Sequence, residues 1–129
     1  MAVASAIRIL IVDDQASIRS LIRASLHQLG FTDVFEAPDG EEGLRAVLTR
    51  SPNLVITDFN MPKLDGLGLL RAIRGHPPTK SIAVIMLTGR ADRELVQRAV
   101  QFGVNNFLVK PFTVATLKQK VEEVVGVLA

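Results

Sequence analysis

The stretch LVITDFNMPKLDG, Leu54 to Gly66, begins as an apolar run, stops on a carboxylate at Asp58 and passes at once into turn residues. A short run rich in Val and Ile and bounded by turn formers reads as a strand buried on both faces. The acid therefore sits where a core strand meets solvent. Working outward, similar runs recur as IRILIV (Ile7 to Val12), DVFEA (Asp33 to Ala37), NLVIT (Asn53 to Thr57), IAVIML (Ile82 to Leu87) and NFLV (Asn106 to Val109). DVFEA differs from the others in alternating and in carrying Glu36.

Between the runs lie segments of helical period. Ile18, Leu21, Ile22, Ser25, Leu26 and Leu29 recur at that spacing and stop at Gly30, a residue suited to ending a helix. The segment from Asp39 offers Leu44, Val47 and Leu48, and that from Asp65 offers Leu67, Leu70 and Ile73. A fourth, from Ala91, offers Leu95, Ala99 and Phe102, and a fifth, after Pro111, offers Leu117, Val121, Val124 and Leu128. Asp39 and Thr113 stand where a side-chain oxygen caps a helix start, and Gly75 and Gly103 where helices end. Strands alternating with helices predict an α/β fold, a doubly wound five-stranded parallel sheet of (βα)5 type, with the chain 1–129 as a single domain. In such a sheet the chemistry gathers at the carboxyl ends of the strands, where strand order reverses.

Composition narrows the function classes. A chain of 129 residues that is 48% hydrophobic can bury a core without disulfides, and it has no cysteine for a thiolate metal site. Its fifteen basic residues are spread along the chain, and there is no Trp or Tyr for base stacking, so no direct nucleic-acid binding is expected. The apolar run from Ile7 to Val12 is too short for a signal or membrane segment and has no basic region before it. A soluble, cytoplasmic protein without membrane insertion is the expectation.

The strand ends collect Asp13 and Asp14, Asp58, Thr88 and Gly89, and Lys110 and Pro111. Singly, each has an ordinary reading as a turn or solvated residue; jointly they do not. Two carboxylates about 5 Å apart repel by roughly 3 kcal/mol at an effective dielectric near 20, so three together call for a cation. Lys110 supplies one positive charge. Oxygen ligands without His or Cys favour a hard divalent ion, Mg²⁺ ahead of Ca²⁺ or Mn²⁺. Since Mg²⁺ usually takes one or two carboxylates, one acid is left for chemistry, and Asp58, at the middle of the predicted sheet, is the choice. A carboxylate is a competent nucleophile toward phosphorus, and phosphoryl transfer needs chiefly positioning and charge neutralisation, for which Lys110 and the Thr88 hydroxyl are available.

With these residues assembled, ILIVDD, TDFNMPKLDG, IMLTGR and NNFLVKPFTVATL together resemble the receiver domain of two-component response regulators, most closely the stand-alone chemotaxis type. The resemblance covers nearly the whole chain. It implies the flavodoxin-like strand order 2-1-3-4-5 and a phosphoacceptor at Asp58. It further implies an acid pair at Asp13 and Asp14, with Asp14 binding Mg²⁺ directly beside Asp58 and the backbone carbonyl of Asn60. Thr88 matches the switch hydroxyl, Lys110 its salt-bridge partner, and the Lys110–Pro111 bond is implied to be cis. Phe107 matches the switch aromatic, against the plain alternative of a core Phe, and it lacks the hydroxyl that a Tyr would bring. Asn60 and Arg90 fall where the family tunes self-dephosphorylation; Arg90 reads equally as a solvated surface residue.

The resemblance also implies a histidine kinase as phosphodonor and output through protein contacts, specifically a flagellar motor switch protein, at a surface around Arg93, Gln97, Gln101, Phe107 and Lys118. A phosphorelay shuttle, a phosphate sink and a receiver excised from a larger regulator remain alternatives. A Mg²⁺-dependent phosphatase with an Asp nucleophile is the rival from another class, weakened because Asn60 stands where such enzymes keep a second acid. A flavin-binding module lacks a phosphate-cradling loop after the first strand. His27 and His76 read as surface residues.

Overall fold

The computed structural model describes residues 1–89 and 93–129. Five strands, β1 (Arg8–Val12), β2 (Asp33–Ala37), β3 (Leu54–Asp58), β4 (Ala83–Thr88) and β5 (Asn106–Val109), form one parallel sheet in the order β2-β1-β3-β4-β5. Between and after them run α1 (Ala16–Gln28), α2 (Gly40–Arg50), α3 (Gly66–Gly75), α4 (Arg93–Gln101) and α5 (Val114–Val125). This is the predicted doubly wound architecture.

Strand alternation divides the core into two layers. Ile9, Ile11, Leu54, Ile56, Ile85, Leu87 and Leu108 face α1 and α5 through Ile22, Leu26, Leu117 and Val121. Leu10, Val12, Val55, Val84 and Met86 face α2, α3 and α4 through Val47, Leu69, Leu70, Ile73 and Ala99. Both faces of the central strands are buried except at strand ends, which is why their sequences read as apolar runs with polar residues only near the ends. Glu36 on β2 is explained by its place at the sheet edge, where Arg19 and Arg23 reach it at 3.0 and 2.9 Å.

The helix boundaries follow local chemistry. Asp39 accepts from the Glu42 N–H at 2.8 Å, Asp65 from the Gly68 N–H at 2.8 Å and Thr113 from the Thr116 N–H at 3.1 Å, each satisfying a donor the first turn leaves open. At the ends of α1 and α4, Gly30 and Gly103 take left-handed φ of 97° and 87°, and the next residues, Phe31 and Val104, donate back to Leu26 and Ala99 at 3.0 Å. Gly75 is instead the last residue of α3, with an extended residue after it. The first strand starts at Arg8 rather than Ile7, because a 3-10 turn over Ala4–Ala6 draws the Ile7 N–H to the Ala4 carbonyl. β3 and β4 each run one residue further than expected, to Asp58 and Thr88. Ala91, the expected start of the fourth helical segment, and Arg90 lie outside the described residues.

Candidate functional site

Strand order reverses between β1 and β3, and register brings the strand ends together: Val12 pairs with Thr57 and Asp58 with Leu87. Asp58 shares the sheet face of Leu87, Asp13 that of Ile9 and Ile11, and Lys110 that of Leu108, all on the α1 and α5 side. The period of two thus points three charged side chains into one cleft. Lys110 Nζ lies 3.2 Å from Asp58 Oδ1 and 3.5 Å from Asp13 Oδ2. Thr88 lies on the opposite parity, in line with Val84 and Met86, and its carbonyl accepts from the Lys110 N–H at 2.7 Å.

Asp13 is fully buried. Its Oδ1 accepts from the Gln15 N–H at 2.9 Å, while Oδ2 has no hydrogen-bond partner among the described residues. Burial pushes this carboxyl above the usual carboxylate range; the Gln15 N–H and the Lys110 ammonium oppose the rise, and the Asp58 and Asp14 charges add to it. Asp14 is exposed and Asp58 partly so, and one carboxylate oxygen from each of Asp13, Asp14 and Asp58 lies within 4.8 Å of the others. A buried carboxylate oxygen with no hydrogen bond among the described residues, with the Lys110 ammonium near it at 3.5 Å and two further acids beside it, is a donor set suited to a hard cation. With Mg–O distances of about 2.1 Å, this spacing accommodates one or two direct carboxylate ligands and water for the rest.

Asn60 is exposed in the loop after β3, and among the described residues its carbonyl takes no hydrogen bond. Phe107 pairs with Met86, is half-buried and packs against the α2, α3 and α4 layer, so it shares a sheet face with Thr88 one residue pair away. The Lys110–Pro111 bond is cis. The structure thus brings Asp13, Asp14, Asp58 and Lys110 into one cleft, with Thr88 beside it and Phe107 behind Thr88. Arg90 lies outside the described residues, and His27 and His76 are exposed.

Sequence reasoning missed Arg19. Its Nη1 donates to the Asp13 carbonyl at 2.6 Å and its Nε to Glu36 at 3.0 Å, fixing the turn that carries the acid pair. The only signal available was a basic residue one turn into α1, which does not by itself say what it reaches.

Comparison with known proteins bears on the family and the fold. Residues 9–122 match the response regulator receiver domain family. Over 128 residues, spanning 99% of each chain, the sequence is 50% identical to the "Probable chemotaxis protein CheY" of Rhizobium etli, and it is 42% identical over 117 residues to the chemotaxis protein CheY of Pseudomonas aeruginosa, covering 91% of this chain and 94% of that one. The structure of Vibrio cholerae chemotaxis protein CheY4 superposes with a TM-score of 0.86 at 32% identity, covering 95% of this chain and 99% of that one. The receiver domain of a Pseudomonas aeruginosa sensor histidine kinase, with a magnesium ion coordinated in its active site cleft, superposes with a TM-score of 0.84 at 29% identity, covering 93% and 98%.

Proposed function

Since the chain belongs to the response regulator receiver domain family, we propose that it takes a phosphoryl group onto Asp58 from a histidine kinase and signals by a phosphorylation-dependent switch of chemotaxis type. The observation that carries this reading is Lys110 Nζ set between Asp58 and Asp13, at 3.2 and 3.5 Å. An ammonium there both holds the acid cluster together and stands ready for a phosphoryl oxygen.

An Asp58 carboxylate oxygen attacks phosphorus as the P–N bond of phosphohistidine breaks, and the departing imidazole takes up a proton. Lys110 balances charge on one oxygen of the transferring group and the Thr88 hydroxyl donates to another. Asp13, Asp14, Asp58 and the Asn60 carbonyl would hold Mg²⁺, which supplies neutralisation of phosphoryl charge when bound. Thr88 and Phe107 share a sheet face, so movement of Thr88 toward the phosphoryl group opens room toward which Phe107 moves. The aspartyl phosphate favours the active form only through contacts it makes better there, with Thr88 and Lys110. Asn60 and Arg90 tune return of the acyl phosphate to Asp58 by water.

The whole chain, 1–129, forms one receiver unit that works in the cytoplasm. Output passes through protein contacts around β5, with a flagellar motor switch protein as the partner. Turnover as a phosphatase is disfavoured because the exposed amide of Asn60 cannot act as a general acid. The experiment is incubation with acetyl phosphate and Mg²⁺, read by intact mass. One phosphoryl group per chain, absent with chelator, supports the reading; steady product release without a labelled chain opposes it.

A further inference from the structure

The loop between β3 and α3 carries Asn60 and is pinned at two places. At its neck the Gly66 N–H donates to the Phe59 carbonyl at 2.8 Å. At its tip it meets the first residue of α2: a Cβ on Gly40 would lie 2.6 Å from the Leu64 carbonyl carbon and nearer still to its oxygen. Real Cβ atoms do not approach backbone so closely, so no side chain fits at Gly40 unless the loop moves.

Next to Leu64 the backbone is strained. Lys63 has φ of 71°, and the Leu64 N–H donates across it to the Pro62 carbonyl at 2.8 Å. This two-residue closure with positive φ is the rare, strained form of γ-turn, and a residue other than Gly holds it only when its surroundings impose it. The imposing partner is again α2: Lys63 Nζ lies 3.7 Å from Asp39 Oδ2, while Asp39 Oδ1 caps the helix at Glu42 N–H. With Lys63 largely in solvent and the charges 3.7 Å apart, the pair adds little stability. What it fixes is where the tip of the loop sits against the helix.

We propose that the start of α2 is a positioning element for the metal side of the site: Gly40 by close approach to Leu64, and Asp39 by its hold on Lys63, set the loop and with it the Asn60 carbonyl against the acid cluster. This rests on the reading of Asn60 as a Mg²⁺ ligand in a phosphoacceptor site. None of the α2 residues touches the metal or the phosphoryl group; they act through Leu64 and Lys63.

The test titrates Mg²⁺ alone against thermal unfolding, and in parallel against the rate of labelling by acetyl phosphate. Gly40→Ala is expected to raise the Mg²⁺ midpoint about 10-fold or more, the usual consequence of disturbing a group that orients a ligand. At saturating Mg²⁺ its labelling rate should return toward wild type. Val47→Ala, a core truncation in the same helix, should lower the melting temperature and leave the midpoint unmoved. Should Gly40→Ala not fold, Asp39→Asn combined with Lys63→Gly, which keeps a capping acceptor and relaxes the turn, should raise the midpoint in the same direction. An unshifted midpoint in the variant that folds overturns the proposal, as does an equal shift in Val47→Ala. A wild-type chain that shows no Mg²⁺-dependent labelling, or an Asp58→Asn chain that still labels, overturns the functional reading and this inference together.

Discussion

Lys110 Nζ sits 3.2 Å from Asp58 Oδ1. The same ammonium is 3.5 Å from the buried Asp13, so one cation serves two carboxylates that strand register forces side by side. Removing it leaves their repulsion unopposed.

Lys110→Met should therefore destabilise the Mg²⁺-free protein by at least about 1–3 kcal/mol, the scale for leaving a buried acceptor without its partner. Because Mg²⁺ then neutralises more charge, the rise in melting temperature on adding it should exceed that of wild type. Thermal unfolding with chelator and with Mg²⁺ measures both; an equal rise in the two proteins contradicts the shared-cation reading.

Asp13 gives a pH dependence whose sign is fixed by its burial. Its carboxyl is raised in the folded state, so the native protein holds that proton more tightly than the unfolded chain. The stability it contributes is fully present below the ordinary carboxylate pKa and is lost as pH rises through the raised value. In chelator, denaturant unfolding should show this decline in wild type, and Asp13→Asn should lack it and be no less stable at neutral pH. A decline that persists in Asp13→Asn assigns it to another group.

Thr88→Ala should still accept a phosphoryl group, since the nucleophile and Lys110 remain, but it should uncouple the switch. Fluorine NMR of labelled phenylalanine should show the Phe107 signal moving on phosphorylation of wild type and staying in place in Thr88→Ala. Equal movement in both removes Thr88 from the coupling.

At the opposite end of the sheet, Arg74 donates to the carbonyls of Lys80, Ile82 and Gly103 and to the Asn105 side chain, at 3.0, 2.6, 2.9 and 2.8 Å. It ties the connections leading into β4 and β5, and desolvation by burial lowers its pKa. Lysine has no planar fork to reach these acceptors, so Arg74→Lys should cost about 1–3 kcal/mol in equilibrium unfolding. A change indistinguishable from zero would make the network dispensable.

What was legible in the chain depended on how local the signal was. The runs around Leu10, Ile56 and Ile85 read as strands because burial on both faces confines polar residues, Arg8, Thr57, Asp58 and Thr88, to their ends. Asp13, Asp58 and Lys110 could then be grouped because parallel strands end at one edge. Ile7 continues the apolar run of the first strand in sequence, and nothing in its own chemistry reveals that the Ala4 carbonyl takes its N–H. Arg19, Arg74 and the Lys63 contact with Asp39 escaped for the same reason: long side chains reach carbonyls and acids far along the chain, and periodicity carries no trace of such reach.

Asp58 as the proposed phosphoacceptor can be located chemically. Protein labelled with acetyl phosphate and Mg²⁺ can be treated with borohydride, which reduces an acyl phosphate to an alcohol, and the modified residue located by peptide mass mapping. The account requires reduction at Asp58 alone, with none in Asp58→Asn; reduction at Asp13 or Asp14, or undiminished labelling of the Asp58→Asn chain, contradicts it.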